Sequence, residues 1–185
     1  MGSFFTKNNF EKYTYDSTNF FNLDNLKTQA RVVDIYDGDT CTCVIKFKND
    51  YYKFNVRLAE IDCPEIKSKD ETTKLLAKKA RKRLCSLISP DFDNIDEHIT
   101  RQILRELLNK KVYMIDILCG KFDKYGRLLG HLYKYNSSNR IQELQSFNSI
   151  LIMEKLAYSY NGQKKLSETD QVEVLGSVTD IVWFK

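Results

Sequence analysis

Thr40-Cys41-Thr42-Cys43-Val44-Ile45-Lys46-Phe47, a break at Lys48-Asn49-Asp50, then Tyr51-Tyr52-Lys53-Phe54-Asn55-Val56-Arg57-Leu58-Ala59-Glu60-Ile61: this stretch decides the fold. In its first half Cys41, Cys43, Ile45 and Phe47 alternate with Thr42, Val44, Lys46 and Lys48, the period of two that a half-buried strand imposes. Asn49-Asp50 marks a hairpin turn. In the second half Phe54, Val56 and Leu58 take one face and Arg57 the other. Pro64 ends that strand, and its fixed φ stiffens the loop Asp62-Cys63-Pro64-Glu65.

Outward from the hairpin the signals change. Strand character begins at Ala30. Downstream, Leu76, Ala80, Leu84, Leu87 and Ile88 recur at helical spacing, which predicts a helix from Thr72 to about Leu87 with Asp70 or Thr72 as its cap. A loop with Pro90 and a short helix around Ile103, Leu104, Leu107 and Leu108 follow. Val112–Leu118 and Leu128–Tyr135 read as two more strands, and Phe147 to about Leu156 as another helix. Residues 1–29, rich in Asn, Phe and Tyr without a sustained period, read as an N-terminal arm, partly disordered or draped on the barrel. Strands wrapped with a few helices, without βαβ alternation, suit a small, mostly antiparallel barrel.

Composition sets the frame. A chain of 185 residues supports one domain with a real core plus modest appendages. It is 42% hydrophobic and 29% charged, ordinary for a globular protein, and has no apolar run of the roughly 18 residues a membrane span needs. The net charge of +4 fits an anionic ligand without requiring one. Eight Lys or Arg lie between Lys67 and Arg83, either the solvated face of a helix or a surface for a polyanion. Cys41, Cys43, Cys63, Cys85 and Cys119 are odd in number and scattered. Together with only two histidines they offer no zinc spacing, and reduced thiols in a reducing compartment are the simplest account.

The chemistry concentrates in Asp37-Gly38-Asp39-Thr40, Arg57 and Asp62-Cys63-Pro64-Glu65. Acidic groups rarely cluster without a cation, because they repel one another and resist desolvation. An arginine between them suits a phosphate held beside that cation. Asp123-Lys124-Tyr125-Gly126-Arg127 adds a second arginine. Taken alone, Asp37-Gly38-Asp39 marks a turn more often than a metal site, Arg57 a surface ion pair, and Tyr158 and Tyr160 two aromatics among eleven tyrosines.

Jointly, and in this order, the segments Val33–Thr40, Val56–Glu65, Lys124–Arg127 and Leu156-Ala157-Tyr158-Ser159-Tyr160 resemble the staphylococcal nuclease (thermonuclease) family from about Ala30 to Tyr160. The resemblance implies an α+β, mostly β fold: a five-stranded OB-fold barrel with about three helices spanning 30–160, in which about 89–109 is an insertion. Beyond Tyr160 it fades, leaving 161–185 as a C-terminal tail of uncertain structure that runs through Val172, Val174 and Ile181 to Trp183-Phe184. It further implies a calcium-dependent nuclease acting on DNA and RNA, single strands favoured, as a monomer, and leaving 3′-phosphates. Asp39, Asp62 and the main-chain carbonyl of Cys63 correspond to its Ca²⁺ ligands. The family usually has Thr in place of Cys63, and a soft thiolate turned into the site would alter the metal preference. Glu65 corresponds to the catalytic glutamate, Arg57 and Arg127 to the phosphate clamp. Lys124 and Tyr125 correspond to contacts with a neighbouring phosphate, Tyr158 and Tyr160 to rings that stack on a base, and Asp37 to a group ordering the ligands.

The alternative is a non-catalytic, nuclease-like barrel that binds nucleic acid or protein. Degenerate copies of that kind lose ligands or catalytic side chains, whereas this chain keeps Asp39, Arg57, Asp62, Glu65 and Arg127. No basic region followed by an apolar run opens the sequence, so an intracellular, cytoplasmic protein is expected. Met1-Gly2-Ser3-Phe4-Phe5-Thr6 matches the N-myristoylation pattern at Gly2, though such short motifs also match by chance. One acyl chain would give only marginal membrane association.

Overall fold

The computed structural model describes residues 10–137 and 145–176. Gly2, with its acylation pattern, and Trp183-Phe184 lie outside them. Five strands close a barrel: β1 (Lys27–Ile35), β2 (Thr40–Phe47), β3 (Asp50–Leu58), β5 (Met114–Phe122) and β6 (Leu128–Lys134), in the order β1-β2-β3-β6-β5. All neighbours are antiparallel except β3 and β6, which run parallel where the ends of the sheet meet. β4 (Ile61–Asp62) and β7 (Tyr158–Ser159) pair outside the barrel as a short ribbon. Four α-helices lie among the described residues: α1 (Glu71–Ile88), α2 (Arg101–Lys110), α3 (Phe147–Met153) and α4 (Glu168–Leu175). None is long and apolar enough to cross a membrane.

The predicted hairpin is β2–β3, paired from Thr40↔Arg57 to Phe47↔Asp50, so Lys48-Asn49 forms the turn, with Lys48 at φ 55°. Cys41, Cys43, Ile45, Val56 and Leu58 point into the barrel and are essentially inaccessible, joined by Val32, Ile115, Ile117, Leu128 and Leu132. Burying this set is the main stabilising term, since each fully buried aliphatic side chain contributes about 1.5–3 kcal/mol. The second strand stops at Leu58 rather than continuing to Ile61. Glu60, at φ 63°, turns the chain so that Ile61–Asp62 leaves the barrel and pairs with β7. β1 begins three residues before Ala30, and Leu23 is already buried ahead of it.

Asp70 caps α1, its carboxylate accepting from Thr73 N at 2.7 Å. Leu76, Ala80 and Leu84 give the helix its buried stripe. α2, within the stretch read as an insertion, lies against β1, where Arg101 and Arg105 both reach the buried Asp34. α3 is pinned by Asn148, whose amide donates to Ala59 O (2.9 Å) and Gly130 O (3.1 Å) and accepts from Leu132 N (3.1 Å). The described part of the tail is irregular over 161–167 and then forms α4. α4, opened by a Ser167–Asp170 capping box, packs through Leu175 beside Leu76 and Tyr158. The basic run does not form one surface: Arg81 is buried, Arg83 pairs with Glu154, Lys74 with Glu71, and Lys78 meets His98.

Candidate active site

The outer end of β3 carries Arg57, directly opposite Thr40 and one residue past the buried Val56. Strand alternation therefore turns its side chain out of the barrel, yet the loops around it leave it only 8% exposed. Its guanidinium spans two carboxylates. Nη1 stands 3.0 Å from Asp39 Oδ2, and Nη2 bonds Asp62 Oδ1 as well as Ile61 O at 3.2 Å. Burial opposes the charged form of Arg57, but Asp39, Asp62 and Asp37 outweigh it and hold the guanidinium more firmly protonated than usual.

Asp39 reaches this place from the β1–β2 turn, where its Oδ2 also accepts from Cys63 N at 3.1 Å and its Oδ1 from the Thr40 hydroxyl at 2.8 Å. Asp37 accepts from Asp39 N at 3.2 Å; burial first, and Asp39 second, push its carboxyl up to about 8. Gly38 is needed for proximity rather than for an unusual φ. A Cβ there would sit 2.5 Å from Ala80 Cβ and 2.9 Å from Cys63 Sγ, so the turn lies flat on α1. The Cys63 thiol is thus packed under Gly38, and burial with nearby carboxylates raises it well above the usual thiol range. The soft-ligand concern falls away: what Asp39, Asp62 and the Cys63 main chain offer is hard oxygen.

Asp62 sits on the β4–β7 ribbon opposite Tyr158, whose hydroxyl donates to Asp62 Oδ2 at 2.5 Å. Tyr158 is only 7% exposed. In this geometry it has no open ring face for a base, and it acts instead as a strut for the carboxylate. Tyr160, next on the ribbon, stands with its ring 5.9 Å from the Arg57 guanidinium carbon. Glu65 is exposed at the loop after the ribbon.

Arg127 closes the arrangement from the β5–β6 turn. Asp123 organises that turn by accepting from Tyr125 N and Arg127 N, both at 2.9 Å, and from Arg127 Nε at 2.7 Å. Burial would raise Asp123, but these bonds keep its carboxyl below the usual range. Gly126, at φ 78°, supplies the left-handed step. Arg57, Glu65, Arg127 and Tyr125 then line one cavity of about 390 Å³ with Asp37 and Thr40. A larger cleft of about 770 Å³ adjoins it, sharing Arg57, Tyr125 and Arg127 and adding Lys124 and Tyr160.

One participant had no sequence signal. Lys165, in the tail, lines the small cavity and places Nζ 2.9 Å from both Asp62 Oδ1 and Glu65 Oε1. Burial opposes its charge, but the two carboxylates prevail and raise it. In sequence it is one of two adjacent lysines, Lys164-Lys165, a pattern common on surfaces. Among the described residues no group of three or more His, Cys, Asp or Glu side chains is poised for a metal. By donor type the Asp39 and Asp62 carboxylates match a hard cation that keeps several waters, and here both are bonded to Arg57.

A family model described as staphylococcal nuclease homologue matches residues 55–177, about two thirds of the chain. No individual curated protein matches it. The matched span starts within β3 and runs past α4, so it takes in Arg57, Asp62, Glu65 and Arg127 and extends beyond Tyr160 into the tail. Matched over that span, and folded as a closed five-stranded barrel, the chain belongs to the staphylococcal nuclease homologue family.

Proposed function

We propose that this protein is a calcium-dependent nuclease that hydrolyses phosphodiester bonds of DNA and RNA and leaves 3′-phosphates. The observation that carries the reading is one small cavity in which an arginine from β3 and an arginine from the β5–β6 turn meet Glu65, with two buried carboxylates tied to the first of those arginines. A phosphodiester placed there meets Arg57 and Arg127 as charge grows on its non-bridging oxygens, the preorganised stabilisation that dominates many rate enhancements. Glu65 accepts the proton of the attacking water. The phosphorus–O5′ bond breaks and the 5′-oxygen leaves, taking up a proton. Lys124 and Tyr125 flank the neighbouring phosphate, and Tyr160 offers the stacking face that Tyr158 does not.

Asp39, Asp62 and the Cys63 carbonyl would hold Ca²⁺, which supplies positive charge next to the reacting phosphate when bound. Five free, buried cysteines support the intracellular, cytoplasmic reading.

A specific observation favours a second reading. Arg57 and Lys165, cations of the chain itself, already pair with Asp39, Asp62 and Glu65. A non-catalytic barrel that binds nucleic acid would look the same. Incubating the protein with single-stranded DNA or RNA, in Ca²⁺ or in chelator, separates them. Cleavage in Ca²⁺ alone, with 3′-phosphate ends, is expected; binding without cleavage in either condition gives the second reading.

A further inference from the structure

The catalytic cavity opens onto a longer surface. On β3 the side chains of Tyr51, Lys53, Asn55 and Arg57 share one parity and point out of the barrel. The register sets them against Lys46, Val44, Thr42 and Thr40 of β2. The outer face of the hairpin is therefore one ribbon, from Arg57–Thr40 in the site through Asn55–Thr42 and Lys53–Val44 to Tyr51–Lys46. Six residues at about 3.4 Å each make it roughly 20 Å long. β1 widens it, with Arg31 beside Val44 and Asp34 beside Thr42.

This face is not an ordinary solvated one. Two depressions, of about 680 and 860 Å³, lie along it and share Arg31 and Val44. Their walls hold Lys27, Arg31, Lys46, Lys53 and Arg105 against one carboxylate, Asp34, whereas the chain as a whole has 29 basic and 25 acidic residues. Asp34 is itself already paired with Arg101 and Arg105. Asp50, at the hairpin end, turns its carboxylate onto Tyr51 N at 2.8 Å. Tyr51 is 65% exposed and has Lys46 Nζ 5.9 Å from its ring. Lysines spaced along a strand with an exposed aromatic among them combine phosphate neutralisation with base stacking, which is what an extended single strand needs.

We propose that the outer face of the β2–β3 hairpin is a track for single-stranded nucleic acid, continuous with the cavity at Arg57, in which Lys53, Lys46 and Arg31 neutralise phosphates and Tyr51 stacks a base. The inference rests on the nuclease reading of that cavity and adds an extended subsite to it. A short oligomer engages the cavity; a long one engages the cavity and the track.

The test compares fluorescently labelled oligothymidylates of about 4 and about 16 nucleotides, bound in chelator to the full chain across a salt series. Wild type is expected to hold the long oligomer more tightly and with the steeper salt dependence. Lys46→Glu/Lys53→Glu should collapse the ratio of long to short affinity tenfold or more and lower the salt slope by about 1.4, two phosphates at about 0.7 each. Tyr51→Ala should reduce that ratio about fivefold or more. Lys155→Glu, on the exposed turn after α3, should leave it unchanged. Equal effects on both lengths, or none, overturn the track. A ratio sensitive to charge reversal but indifferent to Tyr51→Ala also overturns it, because the face would then attract any polyanion. Calcium-dependent cleavage of the 4-mer by wild type tests the nuclease reading separately: it can succeed while the track fails, and its failure is visible whatever the length ratio.

Discussion

The two walls of the candidate site are built in opposite ways. The barrel wall, with Arg57, Asp39 and Arg127, comes from strands and tight turns whose positions follow from register: Thr40↔Arg57 across the hairpin, and Asp123 gripping Arg127 within one turn. The ribbon wall, with Asp62, Glu65, Tyr158, Tyr160 and Lys165, is assembled by a short pairing between segments roughly a hundred residues apart. The first wall is a rigid extension of the core. The second depends on the C-terminal segment coming back, and it brings its own cation. The difference assigns the walls different work. The barrel should supply charge stabilisation in the transition state, while the ribbon sets how readily the carboxylates accept a metal.

The largest expected effect tests the barrel wall. Arg127→Ala removes a side chain whose ion pair, among the described residues, is with Asp123 four positions away in the same turn, so the fold should survive. Turnover on single-stranded DNA should nevertheless fall about 10²–10³-fold with little change in binding. Glu65→Gln, on the loop after β4, should cripple turnover comparably while leaving affinity near normal. If Arg127→Ala weakens binding and spares turnover, the division of labour between the walls is wrong.

Next comes the pin behind the barrel wall. Asn148→Ala orphans Leu132 N and removes the donor to Ala59 O and Gly130 O, all close to the end of β3. Denaturant unfolding should show a loss of about 2–4 kcal/mol. A loss below about 1 kcal/mol would mean that α3 does not brace this wall.

Residues of both walls were named from the sequence, but only the barrel wall's geometry was legible there, for physical reasons. Alternation of Cys41, Cys43 and Ile45 against Thr42 and Val44 fixes which side of β2 is buried, and therefore that Arg57 points outward. Helical spacing likewise gave α1 to within a residue or so. The ribbon carries only two residues per strand, too few for a period, so neither the break at Glu60 nor the Tyr158–Asp62 strut could be read. The reason for Gly38 was hidden as well: its constraint is Ala80 on a helix forty residues on. Charge behaved similarly. Basic residues clustered in sequence on α1 scatter in space, whereas lysines and arginines spread over β1, β2 and β3 gather on one face.

A smaller effect is expected at the buttress on β1. Arg101 and Arg105 bond Asp34 and, outweighing the burial that opposes them, keep its carboxyl below the ordinary range. A carboxyl held low in the folded state stabilises above its unfolded pKa, about 3.9, and that contribution is lost as pH falls through the lowered folded value. Asp34→Asn should therefore cost about 1–2 kcal/mol at neutral pH, seen as a lower Tm, and the gap to wild type should close as the pH drops below about 4. A gap that persists undiminished at low pH would assign the effect to packing of α2 rather than to charge.

The smallest effect bears most directly on the ribbon wall. Lys165 Nζ stands between Asp62 and Glu65 at 2.9 Å from each, so a divalent cation drawing on Asp62 must share or displace it. Its side chain is 42% exposed, which screens the pair and limits its worth to about 1 kcal/mol or less. Lys165→Met keeps most of the aliphatic stem and removes the charge. Binding of Ca²⁺, or of Tb³⁺ followed by its luminescence, should tighten about two- to fivefold, the change that such a pair allows. The contrast with Asp39→Ala, which removes a hard ligand and should weaken the same binding, makes the direction informative. Weaker metal binding in Lys165→Met would reverse the assignment: the lysine would then hold the two carboxylates in place for the cation, and the C-terminal segment would complete the site instead of competing for it.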